Sequence, residues 1–101
     1  MNVAILLGCL QASPKLSYAS SGKAYATAKL ELEKGLVEVD FQGSMALEVS
    51  SLKPGDRILI EGFLFEDNWQ DAKGDSFSKI KIRCEKLKII DAEIGEVKIN
   101  L

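Results

Sequence analysis

The chain has 101 residues, with 13 Lys and Arg against 15 Asp and Glu, and 47% of it is hydrophobic. That is one domain's worth of sequence, apolar enough to bury a core without disulfide staples. It contains no histidine, which excludes Ser-His and Cys-His nucleophile pairs, imidazole acid–base chemistry and His-ligated metals; its two cysteines, Cys9 and Cys84, cannot make a four-thiolate zinc site.

Taken in chain order, residues 3–10 form an apolar stretch around Gly8. It is far shorter than the about 20 residues of a membrane span. No cation precedes it and no small-residue cleavage site follows, so neither a span nor a signal peptide is expected, and a cytoplasmic location is. Val3, Ile5, Leu7 and Cys9 alternate with Asn2, Ala4, Leu6 and Gly8. Both sets are largely apolar, so this strand is expected to be buried on two sides or to lie at a subunit contact. Cys9 and Cys84 both fall in apolar alternating runs and are expected to be buried free thiols. Residues 11–23 read as a loop or bent hairpin, with Ser13-Pro14 and Ser20-Ser21-Gly22 as turn signals.

Ala24, Ala26, Ala28, Leu30 and Leu32 then alternate with polar positions, and after Lys34-Gly35 so do Val37, Val39 and Phe41. With Lys34-Gly35 as a two-residue turn, Leu32 opposes Val37, Leu30 opposes Val39 and Ala28 opposes Phe41, so every inward pair is apolar. On the outer face that register sets Lys29 against Asp40 and Glu31 against Glu38. Phe41 shares the parity of Val37 and Val39 and is assigned to the core. Met45, Val49 and Leu52 follow at helical spacing behind Ser44, a candidate N-cap, and Lys53-Pro54-Gly55-Asp56 stops the helix. Ile58, Ile60 and Leu64 alternate through residues 57–66, with Gly62 suited to a bend or bulge. Residues 67–76, holding Trp69 and Lys73-Gly74-Asp75, read as a polar hairpin loop. Ile80, Ile82 and Cys84 read as the inner face of the last barrel strand, with Lys79, Lys81 and Arg83 outside and Leu87, Ile89 and Ile90 closing it. Val97, Ile99 and Leu101 alternate again. The expectation is an all-β, five-stranded OB-fold barrel over residues 1–90, with one short helix between strands 3 and 4, and a C-terminal extension over 91–101 that adds at most a short strand; the alternative that periodicity leaves open is another small β-barrel or an α+β domain.

Several pieces of the sequence resemble the bacterial single-stranded DNA-binding proteins with one OB fold per chain. They are Asn2 through Leu10 with its glycine; Pro14-Lys15-Leu16-Ser17-Tyr18 and Ser21-Gly22-Lys23-Ala24; Gly43; Lys53 through Gly62; and Trp69-Gln70-Asp71-Ala72-Lys73-Gly74. Their order and spacing carry the resemblance, which covers nearly the whole chain from Asn2 to Ile90. It implies a barrel that assembles into dimers or tetramers and stacks the bases of a single strand on aromatic side chains over a basic surface.

The sequence departs from the family pattern in three places. The loop between strands 2 and 3, usually long and basic, shrinks to Glu33-Lys34-Gly35-Leu36. Positions that are typically aromatic, basic and aromatic fall on Leu36, Glu38 and Gln42. Residues 91–101 carry Asp91, Glu93 and Glu96 against Lys98, so the acidic partner-recruiting tail of the family is not expected, and residues 1–90 balance 12 cations against 12 anions. In these respects the chain is similar to the short primosomal, cyanobacterial and plastid relatives, and a plastid stroma would be the location of an organellar member.

The candidate nucleic-acid contacts are Trp69, Tyr18, Lys73, Lys79, Lys81 and Arg83. Trp69 and Tyr18 match family positions; alternatively Trp69 caps the barrel or fills a subunit contact, and Tyr18 packs a barrel end. Lys79, Lys81 and Arg83 make a cation stripe with Lys73 nearby, alternatively a solvated strand face. The leading expectation is a weak, non-catalytic single-stranded DNA-binding protein, with no cofactor and no metal. The competing one is an oligomeric OB-fold assembly module that has lost DNA binding and meets a basic protein partner on its Glu31/Glu38/Asp40 face.

Overall fold

A computed structural model describes residues 1–90. The expected extension and short strand over residues 91–101 lie outside the described residues. The elements are β1 (Ala4–Leu10), β2 (Lys15–Tyr18), β3 (Ala24–Leu32), β4 (Gly35–Gln42), α1 (Ser44–Ser50), β5 (Arg57–Gln70) and β6 (Ser76–Ile90). The strands form one sheet in the order β1-β5-β6-β4-β3-β2, and a further β1–β3 pairing joins its ends into a ring. A closed ring of β1, β3, β4, β5 and β6, with the helix between β4 and β5, is the arrangement of an OB fold. The short β2 is an added ribbon on β3, pairing Lys15 with Thr27 and Tyr18 with Ala24, where the sequence reads as a loop or bent hairpin.

Alternation sets the faces, and the inward set is the one the sequence marks. Ala24, Ala26, Ala28, Leu30, Val39, Phe41, Ile58, Ile60, Ile82 and Cys84 are buried together with Leu10 and with Ala46 and Val49 of α1. The β3–β4 register differs from the expected one by two residues. Glu33 and Lys34 form the turn, Leu32 opposes Gly35, Leu30 opposes Val37 and Ala28 opposes Val39. A two-residue slip preserves which face each side chain takes, so the core is unaffected. It moves Glu31 off Glu38 and onto Leu36, relieving a like-charge pair, and sets Thr27 against Asp40, where the hydroxyl donates to the carboxylate at 3.0 Å.

Three other local expectations are corrected. Ser44 is the first helical residue, not the cap; Gly43 occupies the cap at φ 64°, a backbone conformation that favours glycine. Leu64 and Ile80 are exposed, because both lie beyond the part of the hairpin that the barrel covers. Cys84 is buried, but Cys9 is only partly so, since its strand turns Gly8 and Leu10 inward instead. Burial pushes the Cys84 thiol up to about 11, so it is not a thiolate at neutral pH.

Gly62 marks where the barrel ends and an arm begins. Ala4 pairs with Gly62 as the last rung between β1 and β5, and Asn2 extends this contact by donating to and accepting from the backbone of Leu64 at 2.7 and 2.9 Å. The β5–β6 register shifts at Glu61/Gly62, leaving Glu85 as the extra residue; this bulge brings Leu87 and Cys84 to the same side although their parities differ. A side chain at position 62 would collide with the Arg83 carbonyl oxygen, so the crossing requires glycine.

Aromatic residues of the barrel and of the arm should differ sharply in their effect on stability. Phe41→Ala is expected to cost about 3–5 kcal/mol, and Phe77→Ala, which removes one exposed ring of a stacked pair, about 1 kcal/mol. Urea denaturation of the two variants measures both.

Candidate nucleic-acid interface

Beyond Gly62, β5 leaves β1, and before Ile82, β6 leaves β4, so the rest of the β5–β6 ladder projects as a two-stranded arm. Alternation gives the arm two unlike faces. One carries the cross-strand pairs Leu64–Ile82, Glu66–Ile80 and Asn68–Ser78. The other carries Phe63–Arg83, Phe65–Lys81, Asp67–Lys79 and Trp69–Phe77, which interleaves aromatic rings with cations.

Trp69 is therefore a strand residue and not a loop residue, and the turn shrinks to residues 71–75. Its ring stacks on Phe77 with centroids 5.7 Å apart and planes at 20°. The pair is open to solvent, with Trp69 43% and Phe77 44% exposed, and Lys79 Nζ lies 5.7 Å from the indole centroid. Two adjacent exposed rings make a flat apolar platform of the kind on which a base stacks. Arg83 lies over Phe65, its guanidinium carbon 4.8 Å from the ring centroid, and its Nε is enclosed without a hydrogen-bond partner. Phe65 and Phe77 escaped the sequence reading. The signal was present: Phe65 and Trp69 share one parity in a strand taken to end near residue 66, and Phe77 shares the parity of Lys79, Lys81 and Arg83 in the next.

Lys73 lies exposed in the turn, where the Asp71 carboxylate accepts backbone N–H bonds from Lys73 and Asp75 at 2.9 and 3.0 Å. Tyr18 stands apart. It pairs with Ala24 on β2, which puts it on the opposite side of the ribbon from Ser17, Tyr25 and Thr27, away from the outward face that leads to the arm.

The largest correction concerns the cation stripe. β4 and β6 run side by side and parallel, with Val39 beside Ile82 and Asp40 beside Arg83. The acidic positions of β4 and the basic positions of β6 therefore form one charge ladder. Lys79 bridges Glu38 at 2.8 Å, and Lys81 bridges Glu38 at 3.1 Å, Asp40 at 2.6 Å and Asp67 at 3.8 Å. Lys81 is only 6% exposed and is the buried hub of this ladder, not a residue of a solvated stripe. The acidic face is likewise not open to a basic partner at Glu38 and Asp40, because the chain's own lysines occupy it; Glu31 lies outside the ladder. Burial works to push the Glu38 carboxyl up, but hydrogen bonds from Lys79 and Lys81 outweigh it and hold Glu38 below the usual carboxylate range. Burial likewise works to lower Lys81, and Asp40 and Glu38 outweigh it, so its ammonium is held above the usual lysine range. Among the described residues there is no group of His, Cys, Asp and Glu that would hold a metal ion.

The comparisons with known proteins agree with this geometry. A profile of the Single-strand binding protein family matches residues 1–90. Proteins named single-stranded DNA-binding protein from Wolinella succinogenes and Helicobacter hepaticus are 31% and 30% identical to the chain, each over 91% of its length. The chain spans a little under two thirds of these relatives, 65% and 62% respectively.

The ladder predicts a stability profile with two edges. Glu38, depressed in the fold, contributes stability above its unfolded pKa of about 4.3 that is lost as pH falls through the lower folded value. Lys81, raised in the fold, contributes stability below its unfolded pKa of about 10.4 that is lost as pH rises through the higher folded value. Lys81→Met should cost about 3 kcal/mol by leaving the half-buried Asp40 without a cation and Glu38 with Lys79 alone, against less than about 1 kcal/mol for Lys79→Ala. Thermal unfolding across pH checks both edges and both variants.

Proposed function

The chain belongs to the single-strand binding protein family, and on that premise we propose that it is a non-catalytic cytoplasmic protein that binds single-stranded DNA. The observation that carries this reading is the arm, on which Trp69 and Phe77 form an exposed platform, with Lys73 in the adjoining turn and Arg83 over Phe65 toward the barrel end of the same face, both cations without a carboxylate partner among the described residues. Bases stack on the rings irrespective of sequence, and the cations meet the phosphates. Tyr18, on the other side of the β2–β3 ribbon, serves a strand only where it continues around the barrel edge.

Binding is weak for this family. Single-strand affinity grows with the number of phosphates neutralised, and residues 1–90 carry no excess of cations to neutralise them. No helix among the described residues is long and apolar enough to cross a membrane.

The protein self-associates through β1. Val3 and Ile5 are exposed on its outward side, next to Leu7 and to Leu59 of β5, an apolar strip that a second copy covers by an isologous contact. A second reading, a barrel retained for assembly alone, draws on the self-neutralised centre of the face. It predicts an oligomer that ignores DNA.

Two measurements separate these readings. Oligo-dT should quench Trp69 fluorescence in a salt-sensitive way, and Trp69→Ala or Phe77→Ala should weaken binding of a labelled oligo-dT about tenfold, the equivalent of the about 1–3 kcal/mol that one stacked base contributes. Absence of quenching at low salt would leave only the assembly reading. Sedimentation should show an oligomer that Ile5→Lys converts to monomer.

A further inference from the structure

We infer that Glu38 and Asp40 act as built-in competitors for the phosphates of a bound single strand, holding Lys79 and Lys81 in an intramolecular ladder that the strand must open. The inference rests on the single-stranded DNA reading above and goes beyond it by assigning a role to residues that touch neither base nor ring.

The argument begins with position. On one side of the ladder lies the arm, with Arg83, Phe65, Trp69 and Phe77 on the outward face. On the other side is an open groove of about 270 Å³ lined by Gln11, Ser13, Lys15, Thr27, Lys29 and Glu38. Lys15 and Lys29 have no carboxylate partner among the described residues. A strand following the outward face from this groove to the arm crosses the ladder between two sets of unpaired cations.

Charge decides what it meets there. From β3 the ladder is faced by Thr27 and Lys29, from β4 by Glu38 and Asp40, from β5 by Asp67, and from β6 by Lys79, Lys81 and Arg83. The β6 ammonium groups already have anionic oxygens at 2.6, 2.8 and 3.1 Å. These are hydrogen-bonded ion-pair distances, so each carboxylate oxygen stands where a phosphate oxygen would otherwise sit. A phosphate arriving there gains a cation only by displacing a carboxylate, and the displaced carboxylate then repels it. Thr27, donating to Asp40 at 3.0 Å, holds that carboxylate in place. Removing the negative charge while keeping the shape should turn the exposed Lys79 into a phosphate contact, and Lys81, left with only the Asp67 carboxylate at 3.8 Å, into a second where the strand draws its ammonium out.

The test is titration of labelled oligo-dT at several salt concentrations against wild type, Glu38→Gln, Asp40→Asn and the double variant, each first checked for a cooperative thermal transition. The double variant should bind at least tenfold more tightly at low salt. Its plot of log K against log salt should steepen by about 0.7 to 1.4, one or two added phosphate contacts on a single strand. Glu38→Gln alone leaves Asp40 on Lys81, and serves as the milder variant if the double one unfolds; its gain should be at least threefold. Adding Lys79→Ala should cost at least fivefold more affinity in the Glu38→Gln background than in wild type. Wild-type binding that is unchanged in affinity and slope by both substitutions overturns the inference and leaves the DNA-binding reading intact. Failure of every variant to bind overturns both. Binding by the neutralised variants alone supports the inference and overturns the reading for the native chain.

Discussion

Closing the ring brings β4 and β6 together in parallel, and from that contact come both the sealed core and the character of the outer surface. Val39 lies beside Ile82 inside; Asp40 lies beside Arg83 outside. Once these strands are adjacent, Glu38 and Asp40 cannot avoid Lys79 and Lys81. Lys81, nearly sealed from water, is tolerable only because two carboxylates within 3.1 Å satisfy it. An ion pair so placed does less for net stability than its short distances suggest, because its groups gave up water to form it. Its larger effect is on the surface, which it leaves close to neutral where a nucleic-acid binder would ordinarily be basic.

Neutrality at the centre leaves the proposed binding features on the arm. The β5–β6 hairpin outruns the barrel, and its alternation keeps Phe63, Phe65, Trp69 and Phe77 on one face for its whole length. An arm two strands wide has no core to hide these rings in, so Trp69 and Phe77 cover each other and stay open to a third stacked ring. Stacking does not depend on net charge, so the proposed single-strand surface does not require an excess of cations.

The inward faces of the barrel were legible along the chain. Alternation assigned Ala24, Ala26, Ala28, Leu30, Val39, Phe41, Ile58, Ile60, Ile82 and Cys84 to the interior, and burial agrees at each, whereas Ile80, assigned with Ile82 and Cys84, is exposed. The hairpin register was not legible, because apolar pairing tolerates a two-residue slip and only the outer partners, Glu31 with Leu36 and Thr27 with Asp40, distinguish the alternatives. Trp69 was read as a loop residue because the polar residues around it resemble turn chemistry, whereas cross-strand pairing carries the strands on to Gln70 and Ser76. Among the candidate contacts, Lys79, Lys81 and Arg83 were rightly placed on one outward strand face; what that face touches lay far earlier in the chain, at Glu38 and Asp40.

The sequence by itself determined the strand periods, the short helix, the inward set and the balance of charge, since each follows from local spacing and composition. Whether the acidic and basic positions form separate patches or neutralise one another was decided only by the tertiary structure. Local patterning sets the side of a strand on which a charge lies, but ring closure chooses its neighbour, and at 2.6 to 3.1 Å the neighbour determines whether a lysine is free to meet a phosphate.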